Sequence, residues 1–92
     1  MELKEAFGIS LKGMRLRQRL TQEDFGDVSS RTYISMLERG LKNATIEKVA
    51  ELAERLEIHP ISLMVETFMI LHPEVDLDSL IERIRNEVAR HP

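Results

Sequence analysis

Arg31, Thr32, Ser35 and Met36 stand within "SSRTYISMLERG", residues 29–40, at the one-, three- and four-residue steps that bring side chains onto one flank of a helix. In that run Ile34 and Leu37 are the inward candidates, and the core does not need the other four. Their chemistry suits the edges of nucleic-acid bases. An arginine donates two parallel hydrogen bonds to a guanine edge, threonine and methionine offer apolar contact to a thymine methyl, and a serine hydroxyl both donates and accepts. Arg31 and Thr32 lie at the N-terminal end of the run, where a helix entering a major groove makes most of its base contacts. On composition alone Arg31 reads as a solvated surface arginine; only the elements around it change that reading.

Other chemistries find little support. There is no cysteine, which removes disulfides, thiolate nucleophiles and cysteine metal sites, and fits a reducing compartment. The histidines, His59, His72 and His91, lack metal-ligand spacing. Each precedes a proline, and a residue before proline avoids helical geometry, so they read as helix boundaries. Acidic pairs such as Glu51 and Glu54 fall on a solvated helix face, no Ser-His-Asp order stands out, and there is no glycine-rich phosphate loop. The expectation is no enzyme, no metal and no cofactor.

The elements that must carry the flank are helical. Phe7, Leu11 and Met14 step by four and three, predicting a first helix over residues 3–19, with Gly8 and Gly13 weakening it slightly. Thr21 reads as an N-cap with Asp24 three residues on, opening a short second helix that ends near Asp27 or Val28 and buries Phe25 and Val28. Ser29 or Ser30 caps the third helix, and Gly40 ends it. Thr45 caps a fourth with an apolar stripe of Ile46, Val49, Ala50, Ala53 and Leu56. Pro60 opens a fifth that runs to about Leu71 and stops at Pro73; Asp76 opens a sixth, where Leu77, Leu80, Ile81, Ile84 and Val88 recur at near-heptad steps. Two short helices joined by a tight turn inside a small helical bundle describe a helix-turn-helix.

The 92 residues suit one small domain with an appendage, and 42% hydrophobic with 32% charged residues suits a globular chain. No apolar run is long enough to span a bilayer and the start lacks a signal-peptide core, which leads to the expectation of a cytoplasmic protein. The net charge of −3 hides an uneven distribution. Residues 12–43 carry +3 and residues 44–92 carry −5, so one half of the chain suits a polyanion and the other does not.

At "FGISLKGMR", "LTQEDF", "RTYISMLERG" and "NATIEKVAELAERLEIHPISLM" the chain resembles the phage-repressor and Cro-type helix-turn-helix family, the XRE family, over about residues 7–64. Tyr-Ile-Ser-x-x-Glu-x-Gly together with Thr-Gln-Glu carries the resemblance. It implies a five-helix DNA-binding domain that works as a dimer on double-stranded DNA. It also implies base contacts from Arg31, Thr32 and Met36, joined here by Ser35. Phosphate contacts are expected from Gln22, Tyr33, Arg39, Lys42 and Asn43, with Ser30 beside them. The resemblance further implies an Arg15–Glu38 pair tying the first helix to the third, and a close approach of the two motif helices at Gly26. The chain departs from the pattern between Phe25 and Tyr33, where it is about two residues shorter, and at Asn43-Ala44, where Asn-Pro is common.

The last part extends beyond that family's common core. Its apolar residues either fold back to complete the domain's own core, with Leu16 helping to receive them, or form a homodimer interface through Phe68, Leu71, Leu77, Leu80, Ile81, Ile84 and Val88. The dimer is the favoured reading, because such a stripe needs burial. The expected protein is therefore all-α, a repressor-like five-helix domain over residues 1–72 with an additional C-terminal helix over residues 73–92. The expected function is a dimeric, sequence-specific transcription regulator, with an antitoxin-like or adaptor module that binds a partner protein through the tail as the alternative.

Overall fold

In a computed structural model describing residues 1–89, five α-helices and one 3-10 turn follow one another without a strand among the described residues. They are α1 (Leu3–Arg17), the 3-10 turn Gln22–Phe25, α2 (Arg31–Glu38), α3 (Ile46–Arg55), α4 (Pro60–Leu71) and α5 (Leu77–Val88). His91 lies outside the described residues.

Short polar side chains set most of the helix starts. Thr21, Ser30, Thr45 and Asp76 each accept a hydrogen bond from the backbone N–H three residues on, satisfying a donor that the first turn would leave unpaired. The Thr21 backbone N–H donating to its carboxylate holds Asp24 below the usual carboxylate range, and the Ser79 backbone N–H does the same for Asp76. Both caps therefore support the fold at neutral pH and are lost as pH falls through the lowered values. Pro60 opens α4, and the Nδ1 of His59 accepts from the Ile61 N–H at 3.0 Å, so this histidine is a cap; His72 ends the same helix.

Helix ends explain two departures from the sequence expectation. The first helix stops at Arg17, not at residue 19, because Arg19 adopts φ 58° and the Leu20 N–H turns back to the Arg15 carbonyl. Gly40, at φ 72°, terminates α2 through the same kind of bond, from Leu41 N–H to the Met36 carbonyl. The second predicted helix is reduced to four residues. Val28 and Ser29 N–H groups both close onto the Phe25 carbonyl, and Gly26, Asp27, Val28 and the serines are poor continuers of a helix.

The core joins Phe7, Leu11, Phe25, Ile34, Leu37, Leu52, Leu56 and Leu63. Burial of each large side chain contributes roughly 1.5–3 kcal/mol. Val28 and Met14 pack against this cluster only partly buried. α1 lies across α4 and α2, and α3 closes on α4. The α3 stripe is rolled relative to expectation: Val49, Leu52, Ala53 and Leu56 face inward, whereas Ile46 is 87% exposed and Ala50 is solvated. The buried arc is centred nearer Leu52, which carries Ile46 out at the first turn, where no element covers it.

The closest backbone approach is at Gly8, not at Gly26. A Cβ on Gly8 would collide with the Leu37 carbonyl oxygen and lie 2.6 Å from that of Glu38, both backbone atoms. Gly26 is exposed, and its nearest neighbour is the Glu23 carbonyl oxygen of its own turn. The small residue is required where α1 crosses the C-terminal end of α2.

α5 has no buried residue. Leu77, Ile81 and Val88 are exposed, Leu80 and Ile84 half-buried, and Leu16 is 53% exposed, so the fold-back onto Leu16 is not the arrangement observed. Gly8→Ala is expected to cost about 1–3 kcal/mol, because backbone cannot yield as a side chain can. Thermal unfolding would read this as a Tm lowered by roughly 4–8 °C per kcal/mol; an unchanged Tm would mean that the crossing is looser than drawn.

Candidate nucleic-acid interface

A buried ion pair sets the position of α2. Arg15 Nε donates to Glu38 Oε2 at 2.6 Å and its Nη2 to Oε1 at 2.9 Å, with both side chains almost fully covered. A third donor, Arg15 Nη1, reaches the Leu20 carbonyl at 2.7 Å, and Gln22 Nε2 donates to Glu38 Oε1 at 3.1 Å. One carboxylate thus gathers α1, the link after it, the 3-10 turn and α2. The hydrogen bond to Glu38 raises Arg15 above the ordinary arginine range, with burial opposing it.

Beyond that pair the outer flank of α2 is open. Arg31, Thr32 and Arg39 are exposed and Ser35 and Met36 half-buried; Arg31, Thr32, Ser35, Arg39 and Gln22 line one shallow cleft. Arg31 Nε lies 3.5 Å from Glu23 Oε1, both side chains more than two-thirds exposed, an arrangement that water and salt weaken readily. Arg39 Nε donates to the Ser35 carbonyl at 3.4 Å, which lays its stem along the helix. Lys42 and Asn43 are exposed in the loop after α2.

Three expected phosphate partners have structural ties as well. Ser30 caps α2 by accepting from the Tyr33 N–H at 3.1 Å. Tyr33 is half-buried against the core, with Lys48 Nζ 5.8 Å from its ring centre. Gln22 keeps its amide oxygen and one amide hydrogen beyond its bond to Glu38. Arg17 Nη2 donates to both carboxylate oxygens of Glu66, at 2.7 and 2.8 Å, joining α1 to α4. Lys12 and Arg19 are exposed.

Sequence reasoning missed Lys48 and Arg55, which point from α3 at the short turn below α2. Lys48 Nζ donates to the Val28 carbonyl at 2.9 Å, and Arg55 Nε to the Asp24 carbonyl at 2.8 Å. The signal was their seven-residue spacing with Glu51 between them, which reads as an ordinary charged face until the fold brings the turn alongside. No cluster of potential metal ligands occurs among the described residues, and no described helix is long and apolar enough to cross a membrane.

Comparison with known proteins agrees with this geometry. A helix-turn-helix family model matches residues 11–63. An uncharacterized HTH-type transcriptional regulator, y4dJ, of Sinorhizobium fredii is 33% identical over 69 residues, which cover 73% of this chain and 90% of that protein. The restriction-modification controller protein C.AhdI of Aeromonas hydrophila aligns with a TM-score of 0.62 at 31% identity, over 65% of this chain and 94% of its own. Two crystal structures of the clp gene regulator ClgR from Corynebacterium glutamicum share the fold. One has a TM-score of 0.75 at 22% identity over 95% of both chains; the other scores 0.70 at 25% identity over 84% of this chain and 97% of that one. With its exposed α2 flank carried on an Arg15–Glu38 anchor, and with this match in sequence and fold, the chain belongs to the XRE, or Cro-type, helix-turn-helix family of DNA-binding transcription regulators.

Proposed function

We propose that the protein is a dimeric, sequence-specific repressor that reads a near-palindromic operator with one α2 in each half-site. The observation that carries this reading is the outer flank of α2, where Arg31, Thr32 and Arg39 are solvent-exposed on a helix held from behind by buried hydrogen bonds. Arg31 bonds a guanine edge, Thr32 and Met36 contact thymine methyls, and Ser35 adds a hydroxyl within reach of either base type. Gln22, Ser30, Tyr33, Arg39, Lys42 and Asn43 hold phosphates on either side and set the register. An acidic remainder, −5 over residues 44–92, keeps the rest of the chain off the duplex.

Dimerisation uses the apolar side of the C-terminal helix with the end of α4: Phe68, Leu71, Leu77, Leu80, Ile81, Ile84 and Val88. Support comes from exposure, since Phe68, Leu77, Ile81 and Val88 are all uncovered in the single chain. A stripe of that length on a helix with no buried residue is covered most economically by its symmetry mate. Half-sites are then expected about one helical turn apart, roughly 10 bp.

Selecting bound duplexes from a random library yields the operator and the assay. On it, Arg31→Ala is expected to weaken binding by roughly 1–3 kcal/mol and to relax the preference at one position per half-site. Equal losses on operator and random DNA would remove Arg31 from the readers. Arg39→Ala and Lys42→Ala should instead lower both affinities and flatten the salt dependence by about one unit each. An unchanged slope would take them out of the phosphate set. For the dimer, Ile84→Asp should give folded monomers in sedimentation; a dimer that persists places the interface on another surface.

A further inference from the structure

The short turn between the 3-10 helix and α2 is held from outside its own sequence. The Asp24 carbonyl of the 3-10 helix and the Val28 carbonyl of the turn are reached by no backbone amide among the described residues. Each accepts instead from a cation on α3: Arg55 Nε on Asp24 at 2.8 Å and Lys48 Nζ on Val28 at 2.9 Å. Each cation also lies over a ring, Arg55 over Phe25 of the held segment and Lys48 over Tyr33 in the first turn of α2, both at 5.8 Å from the ring centre. Glu51 sits between them on the same face and accepts from Lys48 at 2.8 Å, fixing that ammonium over the turn. The Lys48 side chain is only 21% exposed, so it is spent inside the molecule and is not extended toward solvent.

We infer that Lys48 and Arg55 are positioning residues for sequence reading: they replace the missing second-helix turn by clamping residues 24–28 to α3, and so set the angle at which α2 presents Arg31 and Thr32. A longer second helix would orient α2 through its own hydrogen-bond ladder and packing. Here four residues of 3-10 helix must do so, and the cost of forming so short a segment is not met by its own bonds. A charge-assisted bond at each end of the turn, with a ring beneath each cation, supplies the lost rigidity. Base reading is far more sensitive to the angle of α2 than phosphate contact is, because bidentate bonds tolerate little misplacement. This inference rests on the proposed reading role of α2.

The test uses the full chain with Lys48→Met, Arg55→Met and the double variant, and two probes: the duplex selected by the wild type and random-sequence duplex. Methionine keeps the apolar stem and removes the cation. The double variant should lose roughly tenfold in the ratio of selected to random affinity, as expected for loss of charged hydrogen bonds, while random-duplex affinity and its salt slope stay unchanged. Amide hydrogen exchange across residues 29–33 should rise in both single variants without DNA, and Lys48→Arg should restore protection. An unchanged ratio with unchanged exchange overturns the clamp. A salt slope that falls by about one for each lost cation also overturns it, making these residues phosphate contacts. If the wild type selects no sequence, the reading role of α2 fails, and exchange alone still decides whether the clamp holds the turn. If the double variant does not fold, the single variants carry both measurements.

Discussion

The carboxylate of Glu38 is the point on which the DNA-binding half of the molecule turns. It accepts two bonds from Arg15 and one from Gln22, and Arg15 gives a third donor to the Leu20 carbonyl. Burying such a pair costs desolvation on both sides, and a well-packed apolar pair would serve stability as well. What an apolar pair lacks is direction. The planar guanidinium meets the carboxylate in one orientation, so the rotation of α2 about its own axis is specified along with its position. That rotation decides which side chains face outward. Gly8 serves the same joint by a different means: it lets α1 come so near the end of α2 that the two elements meet backbone to backbone.

Behind α2 the shortened turn shows how a fold compensates for lost helix. The 3-10 segment keeps the features that later steps need, a capped start at Thr21 and a core anchor at Phe25, and omits the rest. Its free carbonyls pass to Arg55 and Lys48 on α3. Gln18 adds a similar crossing, donating to the Leu56 carbonyl at 2.7 Å, so the end of α1 is also tied to the end of α3. These bonds involve residues 20 to 38 positions apart and join elements that ordinary helix signals treat as separate.

The two ends of the molecule differ in what they leave uncovered. Around α2 the exposed groups are mostly cations and hydroxyls, at home in water and against phosphate. Around α5 they are leucine, isoleucine and valine, and the adjoining part of α4 adds Phe68 and Ile61. Apolar side chains on a helix with nothing buried are the surface on which the proposed homodimer rests. A C2 pair satisfies that need and also fixes the spacing between two copies of α2, which is why the proposed assembly and the proposed reading of paired half-sites belong together.

Much of the local structure was legible in the sequence. Thr21, Ser30, Thr45 and Asp76 mark helix starts and Gly40 a helix end, because a cap is a bond between residues three to five positions apart and needs no knowledge of the rest of the chain. Helical spacing likewise brought Phe7 and Leu11 to the core and put Arg31 and Thr32 outside it. The Arg15–Glu38 pair was reachable only through the resemblance to a family, since nothing within four residues of either announces the other. Only the tertiary structure decided that Gly8 and not Gly26 is the crossing point, that Ile46 rolls out while Leu52 rolls in, that α1 ends at Arg17, and that Lys48 and Arg55 hold the turn. Most of these outcomes depend on how helices cross and rotate against one another, and the end of α1 on how the link after it folds back. A periodic pattern names the apolar face of a helix but leaves its roll free by about one residue, and the packed neighbours choose among those settings.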